Sequence, residues 1–191
     1  MDLRQRGLAL EFATLGWNVA GVVVLAIAAW RARSIALVGF GLDSLIEIFA
    51  SIVVIWQLMD SAAGRERTAL RLIGTAFVLL AVYLPTQSVL AWQSGVHPSP
   101  SSLGMAWLLL TLVAMLLLAW GKHIVGRALG NAVLLAEARV TLVDAALAAA
   151  VLLGVGLNAW TGWWWSDPLA GLVIVAYAIG EARACWRHAA N

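Results

Sequence analysis

Asp43 and Glu47 sit four residues apart within one long apolar stretch, and Asp144 lies inside another. If these stretches are helical, the spacing puts both carboxylates of the first on one face. Oxygen ligands of this kind suit a divalent cation, with contacts at about 2.0–2.2 Å for a zinc-like ion. A rise of about 1.5 Å per residue places Asp43, Glu47 and Asp144 near the middle of a bilayer if the helices cross one. Each acid then costs on the order of 2.5–3.5 kcal/mol, roughly 8–10 kcal/mol for three, so something must offset the charge. Glu137 lies about two turns before Asp144. Arg139 is the one basic residue read as clearly inside a span, and it can neutralise only one acid, so protons or a bound cation must balance the rest. Intramembrane acids in an aligned pair plus a third mark a functional site.

The elements that must position these groups follow from composition. Of 191 residues, 63% are hydrophobic and 12% charged, and the mean hydropathy is +0.91. This is far from a soluble domain. The apolar residues fall in blocks of the length needed to cross a bilayer as helices, and the period-two alternation of a membrane barrel is absent. The expected fold is all-α, a multi-pass bundle of six transmembrane helices spanning about 8–30, 35–59, 69–92, 103–120, 132–157 and 168–186. Glu11 and Asn18 interrupt the first stretch and argue against a cleaved signal. Gly95, Pro98 and Pro100 end the third helix, Gly126 and Gly130 separate the fourth from the fifth, and Gly162 to Pro168 separates the last two. Asp167 followed by Pro168 predicts an N-cap and first-turn proline for the sixth.

Lysine and arginine counts set the orientation. One side receives Arg4, Arg6, Arg65, Arg67, Arg71, Lys122, Arg127, Arg183 and Arg187, and the other only Arg31 and Arg33. The asymmetry predicts that both termini are cytoplasmic. Trp160, Trp163, Trp164 and Trp165 crowd an outward loop and read as an interfacial belt. Cys185, the single cysteine, excludes an intrachain disulfide and reads as a small lipid- or helix-facing residue. His97, His123 and His188 read as solvated or headgroup-facing. Asn18 and Gln87 are expected to bond between helices, and Pro85 to kink the third helix. Arg139 is expected to pair with Glu137 or Glu11 as a gate or a structural ion pair. No nucleophile–base pair, paired-histidine motif or phosphate-cradling loop stands at membrane depth, so a transporter is expected rather than an enzyme. Lipid is the expected surrounding, and nucleic acid is not an expected partner.

Three segments together resemble the cation diffusion facilitator family of metal exporters. They are Leu37-Val38-Gly39-Phe40-Gly41-Leu42-Asp43-Ser44-Leu45-Ile46-Glu47, Ala136-Glu137-Ala138-Arg139-Val140-Thr141-Leu142-Val143-Asp144, and Trp164-Trp165-Ser166-Asp167-Pro168-Leu169-Ala170-Gly171. The resemblance covers essentially the whole chain as that family's six-helix transmembrane domain. It implies a divalent ion held between helices two and five by Asp43, Glu47 and Asp144. Val140 stands where the family places a fourth ligand, so water, Thr141, Glu137, Asn18 or Gln87 is expected to complete the shell. Histidine at that position favours zinc. The expected substrate is zinc-like, with manganese, iron, cobalt and cadmium as alternatives.

The resemblance further implies export by alternating access, as a metal/proton antiporter and a homodimer, and the lack of an organelle-targeting segment makes the cytoplasmic membrane the expected location. Carboxylates that release a metal can take protons, so the two compete for one site. The chain ends within a few residues of the sixth span, so a soluble C-terminal domain is expected to belong to a separate protein. The histidine-rich loop found in some relatives between helices four and five is absent. Val140 also leaves open a rival class, a membrane scaffold or regulator that kept the bundle and lost transport.

Overall fold

The structure, a computed structural model, describes residues 3–59, 63–95 and 97–190. These form six helices and no strand: α1 (Leu3–Ala32), α2 (Ile35–Met59), α3 (Ala63–Ser94), α4 (Ser102–Leu129), α5 (Ala132–Thr161) and α6 (Ser166–Ala190). Within α1, α3, α4, α5 and α6 lie segments long and apolar enough to cross a membrane. The remaining helix, α2, has 25 residues, about 37 Å at the standard rise, which is also enough to span. The chain is an all-helical, multi-pass membrane bundle.

Its polarity is inside out relative to a soluble protein. Leu79, Val82, Leu117 and Leu153 point outward, and Trp30 and Trp160 are 87% and 88% exposed. Glu11, Asn18, Asp43, Glu47, Lys122, Glu137, Thr141 and Asp144 are buried. Hydrocarbon explains both sets: apolar side chains lose nothing facing lipid, whereas polar groups must find partners within the bundle. The helix α2 occupies the centre, packing against α1, α3, α5 and α6, while α4 joins α5 and α1 on one flank. Phe40, Leu84, Val151 and Ile174 are buried where α2, α3, α5 and α6 meet.

Close approach depends on small residues. A Cβ on Gly154 would collide with Ala170 and come within 2.8 Å of the Ser166 carbonyl, so α5 and α6 meet where only glycine fits. The turn between α4 and α5 is tighter than glycine content predicts. Gly126 does not break the helix. It is buried inside α4, where a Cβ would lie 3.1 Å from the Leu135 side chain, so its smallness serves packing. Only Gly130, left-handed at φ 60°, reverses the chain before Asn131 caps α5 by accepting from the Leu134 N–H at 2.9 Å. As a result α4 runs to Leu129 rather than stopping near Trp120, and residues assigned to a loop lie on a helix.

Candidate functional site

Asp43 and Glu47 lie on the buried face of α2, and Asp144 on that of α5, with 1%, 3% and 1% of their surfaces exposed. The two helices pack together. Asp43 lies within electrostatic reach of Asp144, and Glu47 within reach of both. Neither oxygen of Asp43 nor of Asp144 has a hydrogen-bond partner. Nearly all buried polar atoms in folded proteins are bonded, so four bare carboxylate oxygens in one region are an exception that needs a cause. Among the described residues no three His, Cys, Asp or Glu side chains already converge into a metal shell.

Val140 is partly buried on α5, one turn before Asp144, and supplies no ligand atom. Asn18 is buried on α1 with its Nδ2 lacking a partner. Gln87 is half-buried on α3, and Pro85 lies inside that helix. Two further groups near the acids were missed from sequence. Glu181 on α6 is half-buried and within electrostatic reach of Asp43. Tyr177, one turn earlier, lies within reach of Asp43, Glu47, Glu181 and Asp144, its ring set edge-on to Phe77 at 5.7 Å.

The largest correction concerns the buried cation. Arg139 is exposed, and Lys122, assigned from sequence to the cytoplasmic loop, is fully buried. Its Nζ stands 3.2 Å from Glu11 Oε2 and 3.3 Å from Glu137 Oε1 and donates to Thr141 Oγ1 at 3.1 Å. The pairing expected of Arg139 is therefore made by Lys122, which the continuation of α4 past Trp120 keeps on the helix inside the bundle. Glu137 and Thr141, expected as accessory ligands, hold this ammonium. The Thr141 hydroxyl also donates to the Glu137 carbonyl at 2.9 Å. The Lys122 charge reaches Asp144 and Glu47 as well. The Glu11–Lys122–Glu137 group thus lies toward the end of the bundle where α1 and α5 begin, within electrostatic reach of Glu47 and Asp144.

Asp167 also serves a different purpose from the one expected. The helix α6 opens at Ser166, and Asp167 reaches across to the start of α2. The Ser34 hydroxyl donates to its two oxygens at 2.6 and 2.8 Å, and the Ala36 N–H donates to Oδ2 at 3.2 Å. Ser34 Oγ in turn accepts from the Leu37 N–H at 3.1 Å. Two orphan N–H groups of the first turn of α2 are thereby satisfied, and the register that carries Asp43 is tied to α6. Pro168 follows in the first turn of α6, where its missing N–H costs nothing.

The end of the bundle where α2, α4 and α6 begin is aromatic. Trp163 stacks on Trp165, with ring centroids 5.2 Å apart, and His97 stacks on Trp164 at 4.4 Å. The Asn158 amide donates to the Pro98 carbonyl at 2.9 Å, holding the α3–α4 loop against α5. His97 and His123 are exposed. Cys185 is buried toward α3, where a Cβ on Gly74 would lie 3.1 Å from its own Cβ. The side chains of His188, Arg65 and Arg67 lie outside the described residues.

A family model described as the cation efflux transmembrane domain matches residues 68–190. That stretch covers most of α3 and all of α4, α5 and α6, so Asp144 lies within it, and Asp43 and Glu47 precede it. Transmembrane protein 163 of Xenopus laevis is 25% identical over 175 residues, 85% of this chain and 62% of that protein. The chain therefore spans less than two thirds of that relative's length.

Proposed function

This chain belongs to the cation efflux family, and from that premise we propose that it exports a zinc-like divalent cation bound between α2 and α5 by Asp43, Glu47 and Asp144. The observation that carries the reading is the set of four buried carboxylate oxygens on Asp43 and Asp144 without a hydrogen-bond partner. Such oxygens repel one another in a medium of low dielectric, and a divalent cation reverses the sign of their interaction. An ion entering between them draws α2 and α5 together, and its loss lets them part. A ligand with this differential affinity for two arrangements can drive alternating access. Protons taking the vacated oxygens would return the carrier and make it a metal/proton antiporter. Manganese, iron, cobalt and cadmium satisfy the same oxygen chemistry, and without a histidine at Val140 the choice among them rests on geometry. We place the carrier in the cytoplasmic membrane with both termini inside, as a homodimer joined through its spans.

The test is metal flux into proteoliposomes that report lumenal metal and pH. Wild-type protein should move metal with counterflow of protons, and Asp43→Ala or Asp144→Ala should abolish the flux. Unchanged flux in either variant removes the site. The rival reading, a scaffold that has lost transport, is favoured by Val140 alone. It requires that titration of the purified wild-type chain with zinc, manganese, cobalt and iron give no binding that depends on Asp43.

A further inference from the structure

The Lys122 ammonium has three hydrogens to donate, and three oxygens meet it: Glu11 Oε2, Glu137 Oε1 and Thr141 Oγ1, between 3.1 and 3.3 Å away. They come from α1 and α5, while the ammonium comes from α4. Two carboxylates and a hydroxyl form the kind of donor set that binds hard divalent cations. The set is over-supplied for a salt bridge, since one acid would neutralise one lysine. The second oxygen of Glu11, on a residue that is fully buried, has no partner. A helix staple needs neither the extra charge nor the bare oxygen, and buried ion pairs contribute little net stability on their own.

We propose that Glu11, Glu137 and Thr141 form a second divalent-cation site whose resident cation is the Lys122 ammonium. The inference rests on reading Asp43, Glu47 and Asp144 as the exchangeable site. A tethered cation cannot dissociate, so it holds α1, α4 and α5 together while denying these oxygens to the cargo. Because its charge reaches Asp144 and Glu47, it also lowers the negative charge that an arriving ion meets. The chain then carries one exchangeable ion where its buried acids would otherwise hold two. A transition-metal ion taking the place of the ammonium needs the oxygens to close in to about 2.0–2.2 Å, a movement within reach of the Glu11 and Glu137 side chains.

The experiment is equilibrium dialysis of the purified full chain in detergent against manganese chloride and zinc chloride, with thermal unfolding followed in parallel. Lys122→Gln should bind one more ion per chain than wild type, and adding Glu11→Gln should remove that extra ion. Lys122→Arg, which keeps the charge, should keep the wild-type count. Without metal, Lys122→Gln should unfold at a lower temperature than wild type and regain the difference when manganese is added, a rescue that a merely structural lysine would not give. An unchanged ion count in Lys122→Gln, or an extra ion that survives Glu11→Gln, overturns the proposal. If Lys122→Gln can be purified only with manganese present, the proposal stands; if it can be recovered neither with nor without manganese, the proposal falls. A wild-type chain that binds no ion refutes the Asp43 site, and the difference between Lys122→Gln and wild type still decides this one.

Discussion

Asp43 and Asp144 are placed at a cost to the fold. A carboxylate stranded without a donor loses its hydration and gains nothing in return, so neutral isosteres at these positions should relieve the bundle even as they disable it. We predict that Asp43→Asn and Asp144→Asn each stabilise the metal-free chain by about 1–2 kcal/mol, less than the full cost of a central acid because the amide that replaces it is still polar, while metal flux disappears. Thermal unfolding in metal-free detergent checks this, and a loss of stability would mean that the carboxylate has a protein partner. These acids could be read from sequence because an ionisable residue deep in an apolar stretch is conspicuous whatever its neighbours. Lys122 could not. It is followed closely by His123, Gly126, Arg127 and Gly130, a composition that resembles a loop, yet the helix continues through Gly126, which is buried against Leu135. Glu181 was overlooked for a similar reason, lying near the polar end of α6.

At the scale of elements, six long helices follow from block hydropathy, but which helix fixes which does not. The Asp-Pro pair in the first turn of α6 carries a local signal for capping its own helix, yet its carboxylate is used by α2. Local pattern cannot report that choice, because the competing donors, Ser34 Oγ and the Ala36 N–H, are remote in sequence. Physically the choice is sound: Arg33 turns the chain with φ 52°, leaving the start of α2 buried and its N–H groups in need of acceptors. Removing the acceptor should therefore unsettle α2. Asp167→Ala is predicted to cost about 1–2 kcal/mol, the range of a lost helix cap, seen as a lower unfolding temperature. It should also weaken metal binding at Asp43, because a first turn released from α6 moves the helix that carries the acid. Asp167→Asn, which can still accept from Ala36, should lose less of both. Equal losses in the two variants would show that charge rather than capping is what matters there.

At the scale of the whole molecule, direction of transport depends on which end of the bundle faces the cytoplasm. The end where α1 begins and α4 closes exposes Arg4, Arg6 and Arg127, joined by Arg183 and Arg187 on the last turns of α6. The opposite end exposes Arg31 and Arg33 beside a cluster of tryptophans. Moving Lys122 from the loop into the bundle removes one charge from the first end and leaves the asymmetry standing, and by the positive-inside rule we propose that this end faces the cytoplasm. The chain has a single, buried cysteine, which makes the assignment testable in a Cys185→Ser background. Cysteine at Arg127 should react with a membrane-impermeant maleimide only after vesicles of native orientation are permeabilised. Cysteine at Thr161, exposed at the other end, should react in intact vesicles. The Glu11–Lys122–Glu137 cluster would then lie between the cytoplasm and the Asp43–Asp144 pair, where a tethered cation can act on ions entering for export. The reverse labelling pattern would put that cluster on the exit side and turn the proposed exporter into an importer built from the same acids.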